Sequence, residues 1–133
     1  SDLRTLGPSD PRTLPNFFDL VYHIHMAQTT LGEFEQMVLL ALVRLGPEAY
    51  GVPITADIAL RTGRDVSLGA VYKTLERLED KGFVASRVGD PTPERGGRRK
   101  KFYRMQAVGA GALRQSMAAL RNMTDGLETE FKF

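Results

Sequence analysis

The chain has no cysteine, no tryptophan and only two histidines in 133 residues. Without cysteine there can be no disulfide, no thiolate catalysis and no Cys-ligated zinc. The two histidines, His23 and His25, make a His-x-His pair with no third or fourth ligand nearby, so no metal site is expected. No apolar run approaches the roughly 20 residues that span a bilayer. The N-terminal stretch lacks the basic start and long apolar core of a signal peptide, and the expected location is cytoplasmic. Neither a phosphate loop nor a nucleophile motif is present. Glu76, Glu79 and Asp80 fall at solvated helical spacing rather than as a convergent acid–base pair. Neither enzymatic activity nor a cofactor is therefore expected.

A hydrophobic content of 42% and a charged content of 26% are ordinary for a globular chain, and the length suits one domain with one modest core. The net charge of +2 is weak by itself. Its distribution is informative: Arg95, Arg98, Arg99, Lys100, Lys101 and Arg104 bring six cations into ten residues without one carboxylate. Such a concentration is the electrostatic footprint of a polyanionic partner, although a charge run can also be a solvated loop.

Residues 1–29 read as an N-terminal arm. Pro8, Pro11 and Pro15 break any early helix, and Asn16 to Ile24 is strongly apolar for an exposed tail. Two readings stand for the part before Met26: an element that packs on the body or on a partner subunit, and vector-derived sequence. Thr30-Leu-Gly-Glu33 has the pattern of a capping box, which predicts a first helix from about Leu31 to Leu45, ended by Gly46 and Pro47. Every residue from Met37 to Val43 is apolar. A helix apolar all round must be covered all round, and the face the domain cannot cover suggests a partner subunit, with Met37 and Leu40 in the contact.

A second helix is expected with Pro53 in its first turn, Ile54 and Ile58 inward and Gly63 at its end. Arg64-Asp65-Val66 has room only for a bridging strand. Ser67 should cap a third helix that ends at Gly82. Leu68, Val71, Leu75 and Leu78 make its apolar face, leaving Gly69, Tyr72, Lys73, Glu76 and Arg77 outward. Strands follow at Phe83–Val88 and Phe102–Met105, with Val84, Val88, Tyr103 and Met105 inward, joined by a loop rich in proline and glycine. From Ala107 a last helix is expected to run to about Glu130. Its seam of Leu113, Met117, Leu120, Met123, Leu127 and Phe131 is of the coiled-coil kind, and calls for a dimer partner or the chain's own domain to pack on. Gly109, Gly111 and Gly126 weaken it by about 1 kcal/mol each relative to alanine.

The expected fold is mainly α with a small β-hairpin: a winged helix-turn-helix over residues 30–106, followed by a C-terminal dimerisation helix over 107–133. A helix with a small, polar N-terminal end suits a major groove about 12 Å wide, and its terminal amides favour phosphate. Helix 67–81 and the basic wing 89–101 are therefore read as a site for double-stranded DNA. Ser67, Gly69, Tyr72 and Lys73 are the candidate base readers. Arg77 is placed on a guanine edge or a phosphate, or else on a nearby carboxylate such as Glu76 or Asp80. Arg95, Arg98, Arg99, Lys100 and Lys101 are the candidate backbone contacts, which set register and salt dependence but carry little sequence information.

Several strings taken together resemble the PadR family of bacterial transcription regulators. They are Leu31-Gly32 before the first helix, Tyr50-Gly51 before the second, Gly69-x-x-Tyr72-x-x-Leu75-x-x-Leu78-Glu79 in the third, and Gly96-Gly-Arg-Arg-Lys-Lys-Phe-Tyr-Arg104 in the wing. The resemblance spans about Thr30 to Leu120 and is specific in combination. It implies a dimeric DNA-binding repressor, often responsive to a small molecule or to stress. One helix after the wing is similar to the short subfamily, in which that helix dimerises. Gln106, a poor N-cap, stands where family members usually carry threonine. Short members that bind flat aromatic drugs in the dimer centre place a tryptophan on the last helix, and its absence does not support that mode of stacking. A homodimer would set two third helices roughly 34–36 Å apart on a palindromic operator. The dimerisation candidates are Met37, Leu40, Leu113, Met117, Leu120, Met123 and Leu127. A small-molecule inducer between subunits near Met117, Leu120 or Met123 is a further candidate partner, although methionine is more often core filling. The alternative function is a winged-helix module that binds an acidic protein partner without reading DNA sequence.

Overall fold

The computed structural model describes residues 16–18, 30–91 and 99–132. The chain divides into two compact units, Ser1–Thr30 and Leu31–Phe133. In the first, the exposed rings of Phe17 and Phe18 meet edge-on with centroids 5.8 Å apart. His23, His25 and the junction at Met26 lie outside the described residues.

In the second unit α1 spans Glu33–Leu45, and a 3-10 turn, Gly46–Glu48, leads through Ala49 and Tyr50 to α2, Gly51–Thr62. The start of α1 corrects the expected capping box by two residues. Gly32 is the N-cap, and the carboxylate of Glu35 accepts its N–H at 3.0 Å. Tertiary contacts settle the choice: Glu33 is drawn to the Arg64 guanidinium, whereas Glu35 also receives Lys81 Nζ at 2.9 Å from the end of the third helix. After Gly63 the chain runs to Ser67 without strand structure, so the expected bridging strand is absent.

Helix α3 spans Leu68–Asp80. Ser67 caps it as expected, its Oγ accepting the Ala70 N–H at 3.1 Å. At the other end Phe83 N–H donates to Leu78 O and Gly82 N–H to Glu79 O, both at 2.9 Å. This is a Schellman motif. It requires the positive φ of Gly82, 76°, and it buries Leu78 and Phe83 together. The buried face of α3 is Val71, Thr74, Leu75 and Leu78. Leu68, expected inward, is exposed, because 100° per residue places it at the edge of that arc while Thr74 falls inside it.

Strands β1 (Val84–Val88) and β2 (Lys101–Met105) form an antiparallel hairpin in which Val84 faces Met105, Ser86 faces Tyr103 and Val88 faces Lys101. Val84 and Tyr103 are buried as expected, but Val88 is 61% exposed. It shares their side of the sheet, yet the hairpin has by then projected past the body that would cover it. Tyr103 N–H also donates to Ala49 O at 2.9 Å, tying the hairpin to the chain just ahead of α2.

Helix α4 spans Ala107–Thr124 and the short α5 Glu128–Phe131. The expected continuous helix to Glu130 is thus broken, at Asp125 and at Gly126, whose φ is 83°. Gln106 caps α4 without a side-chain bond. Its backbone N–H instead donates to Phe83 O at 2.9 Å, so tertiary structure fixes a helix start that the side chain does not. The core gathers Val38, Leu39 and Leu42 of α1, Ile54 and Ile58 of α2, the inner face of α3, Phe83, Val84, Tyr103, and Ala112 and Leu113 of α4.

Candidate nucleic-acid interface

Helix α3 lies with its inner face on α1 and α2 and its C-terminal end against the hairpin. On the opposite side Gly69, Lys73, Glu76 and Asp80, spaced by four, three and four residues, make one outward ridge. All four are exposed, and a β-carbon at Gly69 would meet nothing within 4 Å. Another molecule can therefore approach the helix backbone at its N-terminal end.

The other helix candidates flank this ridge. Ser67 is exposed but its hydroxyl is engaged as the cap. Tyr72, 38% exposed, leans across the start of α2, so that a β-carbon on Gly51 would lie 2.4 Å from its Cζ. Glycine at position 51 is what lets the ring lie there. Arg77 turns the other way and donates from Nη2 to Thr74 Oγ1 at 3.1 Å. Lys73 stands alone among the helix cations in lying on the outermost line.

The hairpin cations divide by strand face. Lys101 points back to α3, with Nζ 3.6 Å from Glu79 and 5.6 Å from the centre of the Tyr103 ring. Ser86 donates its hydroxyl to the same Glu79 carboxylate. That hydroxyl, and then Lys101, hold the Glu79 carboxyl below its ordinary value against the opposing effect of burial, while burial pushes the Tyr103 phenol up. The opposite face carries Arg87, Phe102 and Arg104. The Arg87 guanidinium lies 4.5 Å from the Phe102 ring centre, Phe102 meets Tyr50 edge-on at 5.6 Å, and Lys100 Nζ sits 4.8 Å over Tyr50. Arg99 is exposed. Arg95 and Arg98 lie outside the described residues. Sequence reasoning passed over Arg87, Tyr50 and Phe102. Strict alternation outward from Val84 and Tyr103 would have put Arg87, Phe102 and Arg104 on one face. Tyr50 has no such signal, because only the fold brings it to the hairpin.

A three-helix body thus carries a hairpin against its third helix. The Transcriptional regulator PadR-like family matches residues 39–115, more than half of the chain. The chain belongs to that family. PadR proteins are transcription regulators, not enzymes. No curated protein matches the chain. Among solved structures, the PadR-like chain is similar to a PadR family transcription regulator from hypervirulent Clostridium difficile R20291 (22% identity, TM-score 0.59, covering 77% of this chain and 100% of the other). It is also similar to a PadR family regulator from Eggerthella lenta (26% identity, TM-score 0.55, 83% and 95%). A MarR mutant from E. coli, complexed with operator DNA, shares the fold at 21% identity and a TM-score of 0.50, over 75% of this chain and 63% of that one. The expected winged helix-turn-helix and its family are therefore as the sequence indicated. Among the described residues no helix is long and apolar enough to cross a membrane, and no group of three or more potential ligands could hold a metal ion.

Proposed function

We propose that this PadR-like protein is a repressor that binds a palindromic operator as a homodimer. The observation that carries this reading is the bare outward ridge of α3, small at Gly69 and cationic at Lys73, standing beside a hairpin that presents exposed cations. Ser67, Gly69, Tyr72 and Lys73 face base edges in the major groove. Arg77, Arg95, Arg98, Arg99 and Lys100 meet phosphates. Lys101 serves first as the tie between wing and helix through Glu79.

The dimer rests on α4. Leu113 and Met117 pack into the chain's own core, but further along the same seam Leu120 is 54% and Met123 75% exposed, and Leu127, beyond the break, is exposed as well. Met37 and Leu40 are half-buried on α1. A second copy laid on the seam would cover Leu120 and Met123 and fix the distance between two α3 helices, with Met37 and Leu40, which line a groove against α2, as further contacts. A lipophilic inducer lodged beside Met117, Leu120 and Met123 would change that distance.

Fluorescence anisotropy against the protein's own promoter and a scrambled duplex, over a salt series, tests the reading. The promoter should bind several kcal/mol tighter than the scramble. Lys73→Ala should remove about 1–3 kcal/mol of that difference per half-site. Changing Arg98 and Arg99 together to alanine removes four cations from the dimer, and should weaken both duplexes and flatten the salt slope by roughly three to four. Equal, weak binding of both duplexes would overturn sequence reading and leave a protein-binding winged helix.

A further inference from the structure

Glu76 sits mid-way along the line that faces the groove, next to Lys73, where a carboxylate is repelled by phosphate unless it accepts a hydrogen bond from a base. It lies one turn past Lys73 and about 10 Å along the axis from Gly69, a span of roughly three base-pair steps. Asp80, the last residue of the helix, is roughly 16 Å from Gly69. Four carboxylates elsewhere are occupied, Glu33 by Arg64, Glu35 by Lys81 and the Gly32 N–H, Asp57 by Arg44 and Arg61, and Glu79 by Ser86 and Lys101, whereas Asp80 at the far end of the ridge is bonded to none of the described residues. Among the described residues Glu76 has no ion pair or hydrogen bond, its electrostatic neighbour being the Tyr103 phenol of the hairpin, and Lys73, three residues away, is not bonded to it. An unpartnered negative charge here repels phosphate and lowers affinity for every duplex alike.

The groove itself offers a carboxylate only two donors, the amino groups of cytosine and adenine. Adenine sets its donor beside the N7 acceptor, and an ionised carboxylate can only accept. Cytosine presents its donor without that neighbour. Lys73 has the converse character: an ammonium only donates, and guanine offers O6 and N7, both acceptors. Tyr72, beside Gly51, and Arg77, bonded to Thr74, flank the ridge rather than stand on its line. The middle of the ridge is thus one donor-only and one acceptor-only side chain.

We propose that Glu76 is a specificity-determining residue that accepts a hydrogen bond from the N4 amino group of a cytosine, no more than two base pairs from a guanine contacted by Lys73. The inference rests on the DNA-reading function above and names part of its substrate. Its test is selection of bound duplexes from a randomised pool by the full-length protein, by Glu76→Gln and by Glu76→Ala. Wild type should enrich a half-site holding that guanine and cytosine together. Glu76→Ala should lose the preference for cytosine, worth between about 5- and 150-fold, and bind unrelated duplex somewhat better. Glu76→Gln should shift the position toward adenine, whose donor and acceptor an amide matches. The remaining positions should be unchanged. The same consensus from all three proteins, or equal loss at every position, overturns the proposal alone. If wild type enriches no sequence, the proposal falls together with the DNA-reading function.

Discussion

A β-carbon on Gly109 would lie 2.2 Å from the carbonyl oxygen of Phe83, and that oxygen is held by the Gln106 N–H. Backbone on both sides leaves nothing flexible to give way. Gly109→Ala should therefore cost about 3 kcal/mol or more despite the better helix propensity of alanine, read as a fall in the urea midpoint. Gly69→Ala meets open space and should raise stability by up to about 1 kcal/mol, while weakening DNA binding because the added methyl holds the duplex off the helix. Anisotropy and urea unfolding on the same variant separate the two effects. Glu35 governs acid stability in the same local way. Burial pushes its carboxyl up, but the Gly32 N–H, then Lys81 and Arg77, outweigh that and hold it below the ordinary 4.5. The folded state therefore binds fewer protons than the unfolded one. This contribution is full above the unfolded value and is lost as pH falls through it toward the folded value. The urea midpoint should begin to drop as pH falls below about 5.5 and keep falling below 4.5, and less steeply in Glu35→Gln. An unchanged slope in that variant would show that Glu33, Asp57 and Glu79, which are also held low, carry the whole effect.

The third helix was legible in detail because both of its ends are written locally. Ser67 supplies a cap acceptor and Gly82 the positive φ of the Schellman turn, and neither needs a distant residue. The first helix was misplaced by two residues for the converse reason. Thr30-x-x-Glu33 satisfies the capping pattern, but Glu35 gains a second partner in Lys81, 46 positions away, and Glu33 one in Arg64. The hairpin was legible at its base and not at its tip, since alternation predicts which side a residue faces but not how far the covering body extends. Val88 faces the side of Val84 and finds no cover. The last helix carries a seam whose two halves serve different ends. Leu113 and Met117 pack on the chain's own core, Leu120 and Met123 are exposed, and α4 stops at Asp125 and Gly126 before the short α5.

At the level of the molecule, the exposed stretch of that seam sets the expected assembly. Leu120→Glu together with Met123→Glu removes an apolar contact without touching the core, since both side chains are largely in solvent. Sedimentation should show wild type at twice the chain mass of 14.8 kDa and the variant at that mass. The variant should also lose any dependence of its melting temperature on protein concentration, and should bind operator far more weakly than a half-site difference explains. Wild type that sediments as a monomer at all concentrations would remove the dimer from the proposed function while leaving the helix ridge intact.

Composition and local pattern determined by themselves the three helices of the body, the caps of α3, the strand pair and the cation-rich segment, because helix capping and periodicity act over a few residues. The family followed from those same strings. Tertiary structure alone decided which candidates face outward together. It seated Tyr72 on Gly51, turned Arg77 to Thr74 and drew Lys101 to Glu79. It also stacked Lys100 on Tyr50 and left Lys73 and Glu76 on the open ridge. A long side chain has several partners within reach, and the one it takes depends on which element the fold brings beside it.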